Sequence, residues 1–414
     1  METFFVWKKL GKKRLVKRGD AKKGKMEKFS RRDFIKWAAV NAGVCSCAFL
    51  EWTEPVSAFS FWGAGQARAE EGQVKEEMFY RKLDSLRIEC DICPRRCQVA
   101  EGKRGYCGNK ENQGGKYYSL VYNKVCAAHT DPIEKKPFYH YLPGARAFSV
   151  AAAGCNFACK FCQNWEIAQS RPEEIPHDSL TPARAIEICH DQSIATIAYT
   201  YSEPTVFYTS MYDMAKTARA AGIGSVMISN GFMNEIPLRE LCKQLTAVRI
   251  DLKSFNAAFY RNICSGELAP VLATLQRLKE IGIWFEIIAL IIPTLNDDPE
   301  ELQKMCAWIK ANLGPDVPIH FSRFHPMYQI QNLPPTPVKT LEMARETAFR
   351  AGLHFPYIGN VPGHEGENTY CPSCRRVLVK RIGFAILENS IEKNCCKYCR
   401  QPIPGVWSKE QLPL

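Results

Sequence analysis

The chain has 414 residues, of which 46% are hydrophobic and 24% are charged. This balance is typical of a globular protein and excludes a disordered or fibrous chain. The net charge of +12 is concentrated at one end, because residues 1–36 carry 14 Lys and Arg against four acidic residues. The rest of the chain is nearly neutral, so we expect no basic face for nucleic acid.

A chain of this length has room for one large domain with small appendages. We expect a basic leader at 1–75, an N-terminal cysteine module at 85–145, a core at 146–362 and a C-terminal module at 363–414. Many of the 19 cysteines lie two or three residues apart. Such spacing suits metal ligation better than disulfides, which usually bridge distant segments.

The leader contains "SRRDFIKWAAVNAGVCSCAFL" at residues 30–50. Its paired arginines, Arg31 and Arg32, and the weakly apolar run after them resemble a twin-arginine export signal. That run is too short to span a bilayer comfortably, and a small-x-small cleavage site follows at 67–69. The alternative is a disordered basic tail, and Met26 offers a second start in place of the first residue.

The N-terminal module contains "CDICPRRCQVAEGKRGYC", which supplies four cysteines within 18 residues. They are Cys90, Cys93, Cys97 and Cys107. Four thiolates can hold either a zinc ion or an auxiliary iron–sulfur cluster. The sequence leaves a structural metal site and an electron relay equally open.

From residue 147 the chain alternates continuously apolar runs with helical patterns, as parallel strands covered on both faces do. Two helices are predicted to begin after Thr181 and Thr336, because each threonine can act as an N-cap and is followed by a proline. The repeated order predicts an α/β fold, a partial (β/α)6 TIM-like barrel with small Cys-rich metal-binding modules at both ends. Six strands are predicted, at 147–154, 194–201, 224–230, 247–254, 284–293 and 318–326.

"GCNFACKFCQNW" follows the first predicted strand and places Cys155, Cys159 and Cys162 at a C-x3-C-x2-C spacing. Three thiolates can hold three irons of a [4Fe-4S] cluster, which leaves the fourth iron for another ligand. Cys126 or Cys189 could supply that ligand. The position of the triad at a strand end favours instead an iron left open to a small molecule.

The other predicted strands also end in polar residues, where the chemistry of βα barrels lies. These residues are Glu203 in "YSEP", Asn230 in "SNG", Asp251 and Lys253 in "DLK", and His325 in "FHP". Each one alone is more often structural. Their joint placement at strand ends favours a functional site.

The C-terminal module reads "CPSC", 21 intervening residues, "CKYC". Cys371, Cys374, Cys396 and Cys399 form two C-x2-C pairs at zinc-ribbon spacing. The neighbouring Cys395 is a spare that could replace Cys396. We expect a structural or docking role here, not catalysis.

The pattern C-x3-C-x-aromatic-C after a first barrel strand resembles that of the radical S-adenosylmethionine (SAM) superfamily. In that family the amino and carboxylate groups of SAM bind the open iron of the [4Fe-4S] cluster. One electron then cleaves the sulfonium to a 5′-deoxyadenosyl radical, which abstracts a hydrogen atom. The resemblance therefore implies both cofactors, which carry the difficult chemistry while the protein positions them.

The resemblance also implies roles for the strand-end residues. Glu203 would accept a hydrogen bond from the SAM amino group, although the family's Gly-Gly before Glu-Pro is replaced by Tyr201 and Ser202. Asp251 and Lys253 resemble a pair that glycyl-radical activating enzymes use near the cofactor. A carboxylate and an ammonium suit the two ends of a zwitterion. Asn230 and His325 are weaker matches.

As a set, the motifs from about residue 85 to the C-terminus resemble AmmeMemoRadiSam system radical SAM enzymes, relatives of pyruvate formate-lyase activating enzymes. This implies a radical SAM enzyme that modifies an unidentified protein or small molecule. Activation of a glycyl-radical protein is the nearer alternative, and a non-catalytic iron–sulfur or scaffold protein is the distant one. The last would not need Glu203, Asp251 and Lys253 around an open iron.

The same chemistry implies a low-potential electron donor as partner. SAM and such donors are cytosolic, whereas the leader points to export. We therefore expect a cytoplasmic or inner-membrane-associated protein, with membrane or export contact through the leader.

Overall fold

The computed structural model describes residues 74–414. The predicted twin-arginine segment lies outside the described residues. Among the helices of the described part, none has both the length and the apolar character that a membrane crossing requires.

The N-terminal part of the described chain consists of short antiparallel strands. The two glycines between β5 and β6, Gly114 and Gly115, have φ of 63° and 74°, the conformation that a two-residue hairpin turn requires. The sheets have the orders β1-β6-β5 and β2-β3-β4. The strands are β1 (Lys75–Glu76), β2 (Tyr80–Lys82), β3 (Ile88–Cys90), β4 (Gln98–Val99), β5 (Lys110–Gln113), β6 (Lys116–Ser119) and β7 (Lys124–Val125).

An eight-stranded sheet forms the centre of the fold. Its strands are β8 (Ala127–Pro132), β9 (Arg146–Ala151), β11 (Thr196–Tyr199), β12 (Gly224–Ser229), β13 (Ala247–Asp251), β14 (Trp284–Ile291), β15 (Ile319–Arg323) and β16 (Pro356–Gly359). The short strand β10 (Asp178–Ser179) pairs with β7 instead. The order is β16-β15-β14-β13-β12-β11-β9-β8, with seven parallel strands and β8 antiparallel at one edge.

Helices follow most of these strands, which makes the core a partial βα barrel as predicted. They are α1 (Trp165–Ala168), α2 (Pro182–Asp191), α3 (Tyr208–Ala220), α4 (Glu235–Cys242), α5 (Ala257–Phe259), α6 (Leu268–Ile281), α7 (Pro299–Leu313) and α8 (Val338–Arg350). All six predicted strands are present, and β12 is buried along its whole length, in keeping with its continuous apolar character. The sheet has two further strands, β8 and β16.

The two predicted helix caps differ in outcome. Thr181 accepts a hydrogen bond from the backbone N–H of Arg184 at 3.2 Å, as an N-cap does. The cap prediction for Thr336 is wrong, because α8 begins at Val338 after Pro337. The Thr336 hydroxyl donates instead to the carbonyl of Ile291 at 2.5 Å, so it links the segment before α8 to the end of β14.

Glu286, on β14, connects the segment before β9 to the sheet through hydrogen bonds. Its buried carboxylate accepts hydrogen bonds from the backbone N–H groups of Tyr139 and His140, at 2.8 to 3.1 Å. It also lies 2.8 Å from Nε2 of His320. A buried carboxylate with this many partners fixes the position of the chain that contacts it.

The C-terminal module is built from short antiparallel strands: β17 (Thr369–Tyr370), β18 (Val377–Ile382), β19 (Ala385–Asn389), β20 (Ile391–Glu392) and β21 (Cys395–Cys396). Arg381 on β18 is buried and joins this module to the core. Its guanidinium donates to the carbonyl of Tyr139 at 2.9 Å and lies 4.1 Å from the centre of the Tyr139 ring.

Candidate active site

A cavity of about 430 Å³ lies at the carboxyl ends of the parallel strands. Seven of the eight residues predicted for the core site line it: Cys155, Cys159, Cys162, Glu203, Asn230, Asp251 and Lys253. The eighth, His325, is not among the lining residues. The strand-end rule therefore brings together residues that lie almost 100 positions apart in the sequence.

The loop that carries the three cysteines begins directly after β9. Gly154 has φ of 91°, and a Cβ at this position would lie 2.6 Å from Oδ1 of Asn109. Glycine is thus required both for the backbone conformation and for the close approach of Asn109. The backbone N–H groups of Ala158 and Lys160 donate to the backbone carbonyls of Cys264 and Ile263, each at 3.0 Å.

Cys264 is a fourth thiol near the triad that the sequence analysis missed. It is fully buried in the segment after β13. Interaction with the Cys264 thiol lowers the pKa of Cys159, against the effect of burial. Cys126 and Cys189, the fourth ligands considered above, are not among the residues lining the cavity. The only sequence signal for Cys264 was its position 11 residues after "DLK".

Glu203 lies just after β11 and is almost completely buried. Its Oε1 accepts from the hydroxyls of Thr205 and Ser229 at 2.6 and 2.7 Å, and Oε2 accepts from the backbone N–H of Asn230 at 2.8 Å. Burial raises the pKa of Glu203, and these hydrogen bonds oppose that rise. Oε2 keeps capacity for a second donor.

Asn230 lies beside the triad, and both polar atoms of its side-chain amide make hydrogen bonds within the protein. Its Nδ2 donates to Oδ1 of Asn156 at 2.7 Å, and its Oδ1 accepts from the N–H of Phe232 at 2.9 Å. The same Nδ2 lies 3.9 Å from Sγ of Cys155. Asn230 therefore positions the first cysteine of the triad.

Asp251 and Lys253 form a charged group with Arg249, which the sequence analysis did not single out. Nζ of Lys253 lies 3.2 Å from Oδ2 of Asp251, and Nη2 of Arg249 lies 2.8 Å from Oδ1. Burial alone would raise the pKa of Asp251, but the two cations outweigh it and lower that pKa. Within the described chain Oδ1 makes no aligned hydrogen bond, so this buried acceptor can receive a ligand donor.

Tyr201 stands where the family pattern has glycine, and its backbone explains that pattern. It has φ of 66°, in the left-handed region that glycine adopts without strain. Its hydroxyl donates to Asp131, and Nζ of Lys136 lies 4.3 Å from the centre of its ring. These contacts hold a bulky residue in a conformation that it rarely adopts.

Charged residues from the segment before β9 line another part of the cavity. Nζ of Lys136 donates to Asp131 at 2.6 Å, and burial lowers the pKa of Lys136 to about 8. Glu134 is also buried and accepts from the N–H of Gly144 at 2.9 Å, while its Oε2 has no partner in the described part of the chain. Burial raises the pKa of Glu134 to about 7.

His325 is exposed on the loop after β15, so the structure does not bring it to the residues above. The backbone N–H of the preceding residue, Phe324, donates to the hydroxyl of Thr336 at 2.9 Å. The same loop contacts the cysteine loop through Gln329, whose backbone N–H donates to the carbonyl of Lys160 at 2.9 Å.

The C-terminal cysteines form a compact group. Sγ of Cys371 lies 3.6 Å from that of Cys399, and Sγ of Cys374 lies 3.7 Å from that of Cys396. All four sulfurs lie within 4.8 Å of one another, the arrangement that one metal ion requires. Cys395 is outside this group, so the structure selects Cys396 of the adjacent pair.

The N-terminal cysteines line a separate small cavity. All four, Cys90, Cys93, Cys97 and Cys107, face it. Lys110 and Asn156 line it as well, and Lys110 is buried with its Nζ 3.8 Å from Oε2 of Glu77.

Comparisons with known proteins agree with the geometry of the core. The family model described as the radical SAM superfamily matches residues 150–306. An uncharacterized protein of Methanocaldococcus jannaschii is 46% identical over 332 residues, which cover 80% of this chain and 99% of the relative. The pyruvate formate-lyase-activating enzyme of Listeria monocytogenes is 28% identical over 180 residues, which cover 41% of this chain and 71% of the relative.

Among solved structures, a radical SAM methyltransferase of Sphaerobacter thermophilus matches with a TM-score of 0.42 and 13% identity. The match covers 53% of this chain and 67% of that chain. A domain of pyruvate-formate lyase-activating enzyme of Bacteroides vulgatus matches with a TM-score of 0.36 and 17% identity, over 39% of this chain and 98% of that domain.

Proposed function

The chain belongs to the radical SAM superfamily, and from that membership we propose that it is a radical SAM enzyme that abstracts hydrogen from a protein or small molecule. Cys155, Cys159 and Cys162 would hold the [4Fe-4S] cluster. Glu203 and the Asp251 group would bind SAM. The observation that supports this proposal most directly is that these side chains, from three different strand ends, line one cavity.

The residues fit the cofactors in their chemistry. Three buried or half-buried thiols suit iron, and the buried Oδ1 of Asp251 offers an acceptor to an ammonium or a hydroxyl. Lys253 places a cation near the site for a carboxylate. When bound, the cluster and SAM supply one-electron cleavage of the sulfonium to a 5′-deoxyadenosyl radical. Phe161, almost completely buried, helps to exclude water from the cysteine loop.

Product analysis after anaerobic reconstitution tests the proposal. With iron, sulfide, SAM and dithionite we expect 5′-deoxyadenosine from the wild-type chain. Cys159→Ala should abolish it. Cys306→Ala, a buried cysteine on α7 outside the three groups, should leave it unchanged. A fully loaded wild-type cluster that yields no 5′-deoxyadenosine would contradict the proposal and favour a non-catalytic iron–sulfur protein.

The substrate side of the cavity favours a polar substrate. Lys136 and Glu134, from the segment before β9, line it, and Oε2 of Glu134 has no partner within the described residues. Relatives named pyruvate formate-lyase-activating enzymes favour a glycyl-radical protein as the substrate. Incubation with a purified glycyl-radical protein and electron paramagnetic resonance (EPR) would detect such a product, and its absence with an active enzyme would favour another substrate.

We propose zinc for the C-terminal quartet, since four thiolates around one ion form a closed structural site. The C-terminal module then has a zinc-ribbon-like role in stability and docking.

We propose that the enzyme also needs a low-potential electron donor as a partner.

We propose that residues 26–75 act as a twin-arginine export signal, through which the chain would contact the membrane. Fusion of this segment to a reporter that is active only after export tests the idea. Changing Arg31 and Arg32 to Lys should abolish the reporter signal, and unchanged export would favour a basic tail instead.

A further inference from the structure

We propose that the N-terminal quartet, Cys90, Cys93, Cys97 and Cys107, holds a second [4Fe-4S] cluster and not a zinc ion. The proposal goes beyond the reaction above and rests on different cysteines. The sequence spacing alone leaves both cofactors open. The positions of the thiols in the fold distinguish them.

The spacing of the sulfur atoms argues against a single metal ion. A Zn–S bond of about 2.3 Å places the sulfurs of a tetrahedral site about 3.8 Å apart. The C-terminal quartet has this spacing, with Sγ–Sγ distances of 3.6 and 3.7 Å. Within residues 74–414 it is the only group of three or more metal-binding side chains whose ligand atoms all lie within 4.8 Å of one another. No three N-terminal thiols are therefore this close, although all four face the same cavity.

The catalytic triad provides an internal comparison. Cys155, Cys159 and Cys162 also line one cavity, and their three sulfur atoms do not all lie within 4.8 Å of one another. A cubane cluster binds each thiolate through a different iron, so its thiolates lie further apart than those around one ion. The N-terminal quartet shares the wide spacing of the triad and not the narrow spacing of the C-terminal quartet.

Charges and hydrogen bonds around the N-terminal cavity suit a negatively charged cluster. Lys110 is buried among the cysteines, and its carboxylate neighbour Glu77 is 3.8 Å away, beyond hydrogen-bond distance. A buried ammonium of this kind compensates the charge of thiolates. The backbone N–H of Tyr106 donates to Sγ of Cys97 at 3.4 Å, as second-shell donors do at cluster sulfurs.

The location of the quartet gives the second cluster a role. Asn156 lines the N-terminal cavity and is the residue next to Cys155 of the triad. Arg95, between two of the quartet cysteines, donates to the carbonyl of Asn156 at 2.7 Å. Asn156 therefore connects the two groups of cysteines. We assign the N-terminal cluster as a one-electron relay: it loses one electron as the triad cluster gains one, and a low-potential donor protein or dithionite reduces it again. No atom is transferred.

Metal analysis of a variant that lacks the triad tests the assignment without relying on activity. In the full chain carrying Cys155→Ala, Cys159→Ala and Cys162→Ala, anaerobic reconstitution should give about four irons and four sulfides per chain. Dithionite should produce the EPR signal of a reduced cluster. Cys93→Ala and Cys107→Ala, added to this background, should remove the iron and leave about one zinc. A triad variant that binds about two zinc ions and no iron would overturn the proposal.

The converse variant keeps the test independent of how the triad variant folds. In the chain with an intact triad, Cys93→Ala with Cys107→Ala should lower the iron content from about eight to about four atoms. Cys189→Ala, a buried helix cysteine outside the quartets, is the matched control and should leave it at about eight. Iron that stays the same in both variants would contradict the second cluster, whereas failure of the SAM reaction alone would not.

Discussion

Glu134 shows how burial makes a single carboxyl group depend on pH. Its pKa is raised to about 7, chiefly by burial, with the charge of Glu286 acting in the same direction and that of Arg381 opposing it. Below the unfolded value of 4.5 the group is protonated in both states and carries no penalty. As pH rises from about 4.5 to about 7, the unfolded chain loses its proton first, so stability is lost across that window.

We predict that Glu134→Gln removes this dependence. Relative to the wild type, the free energy of unfolding of the variant should increase by about 2 to 3 kcal/mol between pH 5 and pH 8. Denaturant unfolding at several pH values measures it. Glu187→Gln, an exposed helix position, is the control and should follow the wild type. Parallel pH profiles for wild type and Glu134→Gln would show that Glu134 ionises normally.

At the residue scale, the sequence identified side chains by type and by strand end, but not by their local environment. Seven predicted site residues line the cavity because polar residues at the carboxyl ends of parallel strands converge there. Cys264 was missed because it lies on a short π-helical segment, Tyr260–Cys264, and not at a strand end. Tyr201 could not be understood without its left-handed backbone and its contact with Asp131.

At the scale of elements, the six apolar strands were predictable, whereas the two edge strands were not. β16 is only four residues long and begins with proline, which weakens any strand pattern. β8 reads "AAHTDP" and is mostly half-buried or exposed, since an antiparallel edge strand need not be apolar throughout. Burial on both faces creates the sequence signal, and edge strands have less of it.

The segment after the π-helical turn supports the cysteine loop, and Gly266 is its critical residue. A Cβ at Gly266 would collide with the ring of Phe157, which lies between two cysteines of the triad. We predict that Gly266→Ala displaces Phe157 and lowers the iron content of the triad by at least half, about two of four atoms. Iron and sulfide analysis of the variant lacking Cys93 and Cys107 isolates the triad.

Gly222→Ala provides the control for this change. Gly222 has φ of 72° with no atom within 4 Å of an added Cβ, at the end of α3. Strain there should cost about 1 kcal/mol of stability without altering iron content. Equal iron loss in both variants would mean that general destabilisation, and not the contact with Phe157, empties the site.

At the scale of the whole molecule, the C-terminal module reaches the site through two residues. Arg381 donates a hydrogen bond to the carbonyl of Tyr139, which lines the cavity. Phe384, on the turn after β18, lines the cavity directly. The eight-stranded core sheet, by contrast, contains no strand of the C-terminal module. Loss of the C-terminal metal should therefore loosen the cavity wall while the triad remains assembled, since metal binding supplies folding free energy to the module that contains it.

The adjacent pair Cys395 and Cys396 tests this division. Cys396→Ser should remove about one zinc per chain and open residues 363–414 to limited proteolysis, with the iron content unchanged. Cys395→Ser should retain the zinc, because Cys395 lies outside the compact group of sulfurs. Loss of zinc from Cys395→Ser alone would contradict the quartet. Simultaneous loss of iron from Cys396→Ser would mean that the core sheet depends on the C-terminal module for its own assembly.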